Sequence, residues 1–235
     1  MRLLRSRYAL VLVLLTGVYV IPASGKKTPA APKDSPPATG PTTAPAPEEG
    51  TINGTETIVF LRHGEKPDLG RGQLTPQGLN RALALSTVLP EKFGKPDYIF
   101  APDPSDRIND AVPRYYVRPL ATIEPTAIAL GMQIQTPFGF HQTKELLEEL
   151  TRTTYAKSVV FVVWEHSYEA DAVTTLVKQY DGNSADIPKW PGDDYDSLYV
   201  VKLIRTVGHP IKAVFTHEQE GLNHESKNMP APAKP

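Results

Sequence analysis

The residues best suited to chemistry follow an apolar run near position 60. Residues 58–61 are all apolar, and Arg62, His63 and Gly64 come directly after them. A neutral imidazole can attack phosphorus and form a phosphohistidine. The planar fork of arginine binds phosphate oxygens in pairs, and glycine lets the backbone approach a ligand closely. An isolated Arg-His-Gly is weak evidence, but its position after a predicted strand and before a predicted helix favours a phosphate site.

A second histidine follows a second apolar run. Val159–Trp164 reads as a buried strand, and Glu165 and His166 come next. In open α/β sheets, ligands bind beyond the carboxyl ends of the strands. If the two strands are neighbours, His166 lies beside His63 and can donate a hydrogen bond to a phosphoryl oxygen. The alternative is a histidine that only satisfies a backbone carbonyl at a helix start.

A second arginine is needed to hold a phosphoryl group, and three residues compete for this role. Arg118 begins a predicted helix at 118–130, and a helix N-terminus attracts anions. Arg107 and Arg114 lie in the long Pro- and Asp-rich loop predicted at 102–113 or just after it. Position alone favours Arg118, and an ordinary solvated arginine is the alternative for each.

The order of predicted elements indicates an α/β fold. Thr75 caps a helix that has Pro76 at its first position. Strands are predicted at 56–61, 97–101, 159–164, 197–204 and 213–216, and further helices at 118–130, 144–152 and 168–180. This alternation predicts a three-layer α/β/α sandwich with a mostly parallel sheet, and the last two strands form an antiparallel edge.

Composition and charge divide the 235-residue chain into four parts. Three arginines, an apolar run at 8–20 and small residues at 23–25 predict a signal peptide at 1–25, with an uncleaved anchor as the alternative. A Pro-, Ala- and Thr-rich stretch predicts a disordered linker at 26–50. The folded domain is then expected at 51–220 and a disordered tail at 221–235. We therefore expect an exported, periplasmic or extracellular protein with no membrane span once the signal is cleaved.

The charge balance argues against a nucleic-acid partner. Without residues 1–25 the chain has 22 basic and 26 acidic residues, a formal charge of −4. A nucleic-acid-binding domain is usually strongly basic. The chain has no cysteine, so disulfides are excluded, and it has no cluster with zinc-ligand spacing.

Two motifs resemble the histidine phosphatase superfamily, which has the phosphoglycerate mutase-like fold. The segment LRHGE at 61–65 resembles the end of that family's first strand, and LTPQG at 74–78 resembles the turn that opens its first helix. Arg118, followed by a Thr-Ala pair at 126–127, is similar to the second family arginine. His166 is similar to the second family histidine.

The resemblance implies a mechanism and a substrate class. His63 is expected to accept the phosphoryl group, and Arg62, Arg118 and His166 are expected to bind it. An acidic residue protonates the leaving oxygen and then activates water, so no metal or other cofactor is required. The expected substrate is a phosphomonoester, either a small molecule or a phosphorylated protein.

The identity of the acid is left open by the sequence. The family usually has glycine before the second histidine, and this chain has Glu165. This carboxylate would repel a phosphate unless it is protonated or turned away, or it is the proton donor with a pKa raised by burial. Asp106 and Glu65 are the next candidates; the alternatives are an Asp106 that only shapes a turn and a Glu65 that pairs with a lysine or arginine.

Chain length suggests a small member of the family. Few insertions are present, so the size resembles that of the phosphohistidine phosphatases and favours an open pocket. The acidic, aromatic loop at 186–196 either lines the rim of the site or is a solvated connection anchored by Trp190. A non-catalytic phosphate-binding or interaction domain is the main alternative function. A sugar-phosphate mutase is a weaker one, because its usual substrates are not exported.

Overall fold

The computed structural model describes residues 50–68, 72–108 and 114–231. The predicted signal peptide and all but the last residue of the predicted linker lie outside these ranges. Within these ranges, no helix is long and apolar enough to cross a membrane.

A five-stranded sheet forms the centre of the fold, and a two-stranded ribbon accompanies it. The strands are β1 Gly54–Arg62, β2 Tyr98–Phe100, β3 Arg107–Ile108, β4 Arg114–Tyr115, β5 Val159–Trp164, β6 Ser197–Arg205 and β7 Lys212–Gln219. The strand order of the sheet is β2-β5-β1-β6-β7, and β3 pairs with β4. Strands β2, β5 and β1 are parallel, β6 is antiparallel to β1, and β7 is antiparallel to β6. The predicted parallel sheet with an antiparallel edge is therefore confirmed.

Four α-helices of the described ranges flank this sheet. They are α1 Pro76–Phe93, α2 Arg118–Leu130, α3 Thr143–Leu150 and α4 His166–Gln179, and short 3-10 turns lie at Thr153–Tyr155 and Ser184–Asp186. Helix α1 begins as predicted, because the Thr75 hydroxyl accepts a hydrogen bond from the Gly78 N–H at 3.1 Å. Helix α4 begins at His166, two residues before the predicted start, because the Glu165 carboxylate caps it.

Alternating side chains of the central strands build two apolar layers. In β1, Ile58 and Phe60 pack into one layer, and Val59 and Leu61 pack into the other. Helices α3 and α4 cover the first layer, and α1 and α2 cover the second. Because both faces are covered, the central strands are apolar throughout, as expected for a buried parallel sheet. This is the predicted three-layer sandwich.

The pairing of β1 with β5 brings the two histidine segments together. Arg62 is the register partner of Trp164, and the His63 N–H donates to the Trp164 carbonyl at 3.1 Å. Since the strands are parallel, His63 and Glu165 leave the sheet at the same edge, and His166 follows as the first residue of α4.

The loop and the tail predicted from the sequence also differ from the structure. The predicted 102–113 loop contains β3, which pairs with β4; residues 109–113 lie outside the described ranges. The predicted tail at 221–235 begins too early, because Leu222 is buried and its N–H donates to Asp196 at 2.6 Å. The Asn80 amide also donates to the carbonyls of Ser226 and Asn228, so residues 221–228 pack on the domain.

Candidate active site

His63 is held in one orientation by hydrogen bonds around its own turn. Its Nδ1 lies 2.8 Å from the Gly64 carbonyl, which can only accept, so Nδ1 carries the proton and Nε2 carries a lone pair. The Gly64 N–H donates to the Thr122 hydroxyl at 2.9 Å, and that hydroxyl donates to the Arg118 carbonyl at 2.8 Å. These bonds tie the turn after β1 to the first turn of α2.

His63 is neutral over a wide pH range. Its side chain is fully buried, and the Nε–H of Arg118 lies 3.4 Å from His63 Nε2. Burial first, and then the positive charge of Arg118, lower the pKa of His63 to about 3. An imidazole that stays unprotonated at Nε2 is chemically competent as a nucleophile.

Arg62 has one edge of its guanidinium group anchored and the other edge unused. Its Nη1 donates to the Gly192 carbonyl at 2.9 Å and to the Asp194 carbonyl at 2.7 Å. Its Nε and Nη2 are buried and have no hydrogen-bond partner among the described residues. Buried donors without partners are rare, and these two have the fork geometry that binds two oxygens of a phosphate.

Arg118, which the sequence favoured as the second arginine, lies beside His63. It is almost fully buried, and its guanidinium carbon is 4.9 Å from the centre of the Tyr116 ring. Arg107 lies at the surface, where it stacks on Tyr115 and donates to its hydroxyl. Arg114 is in β4, and its side chain lies outside the described part of the structure.

His166 and Glu165 form a pair at the start of α4. Glu165 Oε1 is 2.5 Å from His166 Nδ1, and Glu165 Oε2 accepts from the Ser167 N–H at 2.9 Å. Burial raises the pKa of Glu165, but His166 and the N–H groups of Ser167 and Tyr168 outweigh it, so this pKa is lowered to about 2. The idea of a Glu165 with a raised pKa is therefore wrong: the carboxylate is ionised because it caps a helix and pairs with His166.

The other two acid candidates have different surroundings. Glu65 makes a two-pronged ion pair with the buried Arg81, at 2.8 Å for the shortest contact. Asp106 Oδ2 is 3.2 Å from His141 Nδ1, and its carbonyl accepts from the Tyr116 N–H at 3.1 Å. The ring of Tyr116 in turn contacts His63 edge-on, so Asp106 is on the segment that packs beside the histidine.

Comparison with solved structures identifies the fold. Two mycobacterial structures, described as mycobacterial hydrolase 1 and as a glucosyl-3-phosphoglycerate phosphatase, each match with a TM-score of 0.50 and 16% identity over 68% of this chain and 97% of theirs. A phosphoglycerate mutase from Plasmodium falciparum matches with a TM-score of 0.49 and 12% identity over 74% and 98%. By sequence, no protein-family model and no curated protein matches the chain.

The chain has the histidine phosphatase fold. The carboxyl edge of its sheet carries the His63 turn, Arg118 and the Glu165–His166 pair, which the sequence placed there from separate motifs. The two segments end side by side because β1 and β5 are adjacent, and Arg118, at the start of α2, contacts His63.

On this histidine phosphatase fold, three further residues join the site without a clear signal in the sequence. Thr122 links Gly64 to Arg118, and its position one helical turn after Arg118 is the one hint of this role. Tyr195 stacks on Arg62, with 3.9 Å between the guanidinium carbon and the ring centre. Glu169 is buried, and burial raises its pKa well above the usual range, while the charge of Arg62 opposes that rise. A glutamate on a helix is usually exposed, so its sequence position did not single it out.

The pocket is closed, contrary to the expectation of an open one. Arg62 and His63 have no exposed surface. The loop predicted either to line the rim or to be a solvated connection covers the site, because the carbonyls of Gly192 and Asp194 and the ring of Tyr195 all contact Arg62.

Proposed function

We propose that this protein is a phosphatase that hydrolyses phosphomonoesters, on a small molecule or a protein, through a phosphohistidine at His63. One observation carries the proposal: a neutral, oriented imidazole Nε2 has the guanidinium of Arg118 at 3.4 Å and lies next in sequence to Arg62, whose buried Nε and Nη2 are unused. Fixed cations at a nucleophile are the arrangement that phosphoryl transfer requires.

The first chemical step transfers the phosphoryl group to His63. The lone pair of Nε2 forms a bond to phosphorus while the ester P–O bond breaks in line with it. Arg62 and Arg118 stabilise the charge on the phosphoryl oxygens, and His166 donates to one of them. The leaving oxygen takes a proton from an acid, so that the alcohol departs neutral.

We assign the acid to Asp106. Glu65 is committed to the ion pair with Arg81, and Glu165 is ionised by its pairing with His166. Asp106 has 23% of its side chain exposed and belongs to the segment that packs against His63 through Tyr116. In this assignment His166 acts as an imidazolium, since only then can Nδ1 donate to Glu165 while Nε2 donates to a phosphoryl oxygen.

The second step releases phosphate by hydrolysis. The Asp106 carboxylate takes a proton from water, and the water oxygen forms a bond to phosphorus as the P–N bond to His63 breaks. The products are inorganic phosphate, neutral His63 and protonated Asp106, which is ready for the next ester. The side chains of this chain supply every proton transfer in this cycle.

The decisive experiment combines one aryl phosphate with a matched pair of histidine variants. The full chain is assayed with 4-nitrophenyl phosphate between pH 4 and 8, beside His63→Ala and, as a control, the exposed His224→Ala. We expect vanadate-sensitive turnover in the wild type and the control, and a loss of about 10³-fold or more in His63→Ala. Turnover in a well-folded His63→Ala protein would contradict the proposal.

A non-catalytic phosphate-binding domain is the second candidate. The closed site and the ionised Glu165 beside it favour this alternative. Such a domain would be stabilised against heat by phosphate or vanadate but would not turn over any ester. A wild-type protein that phosphate stabilises against heat but that hydrolyses no ester would support the non-catalytic phosphate-binding domain.

Export is part of the proposal and rests on the N-terminal sequence. The arginines before the apolar run and the small residues at 23–25 have the order of a secretory signal. We expect a mature protein that begins near Lys26, which N-terminal sequencing of the secreted material would detect. A protein retained inside the producing cell with an intact N-terminus would contradict export.

A further inference from the structure

Residues 190–196, here named the cover segment, lie directly on the proposed phosphate site. Its Gly192 and Asp194 carbonyls accept from Arg62 Nη1. The Tyr195 ring is stacked on the Arg62 guanidinium at 3.9 Å and is 6.2 Å from the His63 ring. A single aromatic side chain therefore covers both the cation and the nucleophile.

The cover segment is fixed at its two ends and exposed between them. Trp190 stacks near Tyr199, with 4.3 Å between ring centres, and its Nε1 donates to the Asp194 carbonyl. The Asp194 carboxylate accepts from the N–H groups of Asp196 and Ser197. Residues 191–193 are exposed. These contacts hold the Asp194 carbonyl in place, so rotation of the Tyr195 side chain is the smallest movement that would uncover Arg62.

A cavity adjoins the cover segment. Its volume is about 500 Å³, and both Gly192 and Tyr195 line it. Most of its remaining wall is contributed by charged and polar residues, among them Glu65, Lys66, Gln77 and Asp193. Tyr195 therefore both contacts Arg62 and lines this cavity.

We propose that Tyr195 is a gate: its ring closes the phosphate site by stacking on Arg62, and it must turn away before a phosphate group can enter from the adjoining cavity. The leaving group of the ester then occupies this cavity. The proposal rests on the phosphate site of the proposed function. In it, the closed state with the Tyr195 ring stacked on Arg62 and the state that admits a phosphate dianion are alternatives.

The gate predicts that removing the Tyr195 ring changes phosphate affinity in the opposite direction from removing a residue that contacts the ligand. When only a fraction of the protein is in the open, binding-competent state, the apparent affinity for the ligand is reduced by that fraction. Removing the ring that stabilises the closed state must therefore tighten binding, whereas removing a residue that contacts the ligand weakens it. A stacked arginine–aromatic pair is strong enough for an effect of about tenfold in affinity.

The first test uses inorganic vanadate and the full chain, with binding followed by calorimetry. We expect Tyr195→Ala to bind vanadate about tenfold more tightly and to associate faster, and Tyr195→Phe, which keeps the ring, to match the wild type. Tyr195→Trp, with the better stacking ring, should bind more weakly. Equal or weaker binding by a folded Tyr195→Ala protein would overturn the gate.

A second variant tests the cavity and keeps the proposal independent of Tyr195→Ala folding. Gln77→Trp places bulk in the cavity wall. We expect kcat/KM for a bulky naphthyl phosphate to fall about tenfold more than for a compact alkyl phosphate, with vanadate affinity unchanged. Equal losses for both esters would overturn the assignment of the cavity to the leaving group.

Failure of the gate and failure of the phosphatase proposal give different results. Vanadate binding that responds to Tyr195 without any turnover would reject the phosphatase and keep the gate. Turnover that requires His63, together with vanadate binding that is unchanged in the Tyr195 variants, would keep the phosphatase and reject the gate. Absence of vanadate binding to both wild type and Tyr195→Ala would overturn the phosphate site and the gate together.

Discussion

The Nε–H group of Arg118 lies 3.4 Å from the Nε2 atom of His63. This contact places a permanent positive charge at the nitrogen atom that would attack phosphorus. It disfavours protonation of His63 and, once a phosphoryl group is present, offers that group a cation at the point where the new bond forms. In the proposed mechanism, Arg118 therefore adds to the effect of burial in keeping His63 neutral and stabilises the charge that develops next to it.

Replacing Arg118 should raise the pKa of His63. In Arg118→Met the charge is lost, but burial, the larger cause, remains, so the pKa should rise above about 3 and stay below 6.5. Titration of the imidazole by NMR would measure it, and Arg107→Met, at the surface, is the control. An unchanged His63 pKa in Arg118→Met would show that the arginine does not set its protonation.

Glu165 should stabilise the fold in neutral solution and lose this effect in acid. Its pKa is about 2 in the folded state and 4.5 in the ordinary state, so its contribution is complete above pH 4.5 and is lost as the pH falls toward 2. We expect Glu165→Gln to lower the unfolding free energy by about 1–2 kcal/mol at pH 7, with the difference shrinking below pH 4.5.

Urea unfolding between pH 3 and 7 would measure the effect of Glu165→Gln. The matched control is Glu148→Gln, because Glu148 forms only an exposed pair with Lys144, of a kind that contributes about 0.5 kcal/mol or less. A Glu165→Gln difference that is independent of pH would contradict an ionised, paired Glu165.

Asp106→Asn should slow the hydrolysis of esters with poor leaving groups far more than that of 4-nitrophenyl phosphate. A general acid is needed most when the leaving oxygen is basic, and such a residue typically contributes about 10²–10⁴-fold. Asp103→Asn is the control, since Asp103 Oδ1 only accepts from the Ser105 N–H of its own turn. If Glu165→Gln instead showed this leaving-group dependence and Asp106→Asn did not, the acid would be Glu165.

Glu220→Gln should change how stability depends on pH. Burial raises the pKa of Glu220 to about 8, and the charge of Arg81 only partly opposes this rise. Folding is then favoured by the protonated form, so the wild type loses stability as the pH rises from 4.5 through 8. We expect Glu220→Gln to gain roughly 2–4 kcal/mol relative to the wild type between pH 5 and pH 8.5.

Thermal unfolding of Glu220→Gln and wild type across this pH range would test the expectation. Arg81→Met provides the complementary measurement, because it leaves Glu65, Asp196 and Glu220 around a site without its cation. Such a loss typically costs about 3–5 kcal/mol. Parallel stability curves for wild type and Glu220→Gln would show that Glu220 does not titrate in this interval.

The sequence by itself determined the fold class and the residues that meet at the sheet edge. These features follow from local patterns that can be read in a single sequence: apolar strands buried on both faces, a capped α1 and the order of the elements. Arg62, His63 and His166 could be placed because a parallel sheet sends the carboxyl ends of neighbouring strands to one edge. The α2 start at Arg118 was equally local, because it follows from helix periodicity.

The tertiary structure alone decided the charge states and what covers the site. Whether Glu165 is protonated depends on the distance to His166 and on the N–H groups it caps, and neither is visible in residue types. The stacking of Tyr195 on Arg62 joins residues 133 positions apart through the packing of the cover segment. The burial of Glu169 and of the Arg81 network likewise depends on which elements surround them, because the electrostatics of a side chain are set by its neighbours in space.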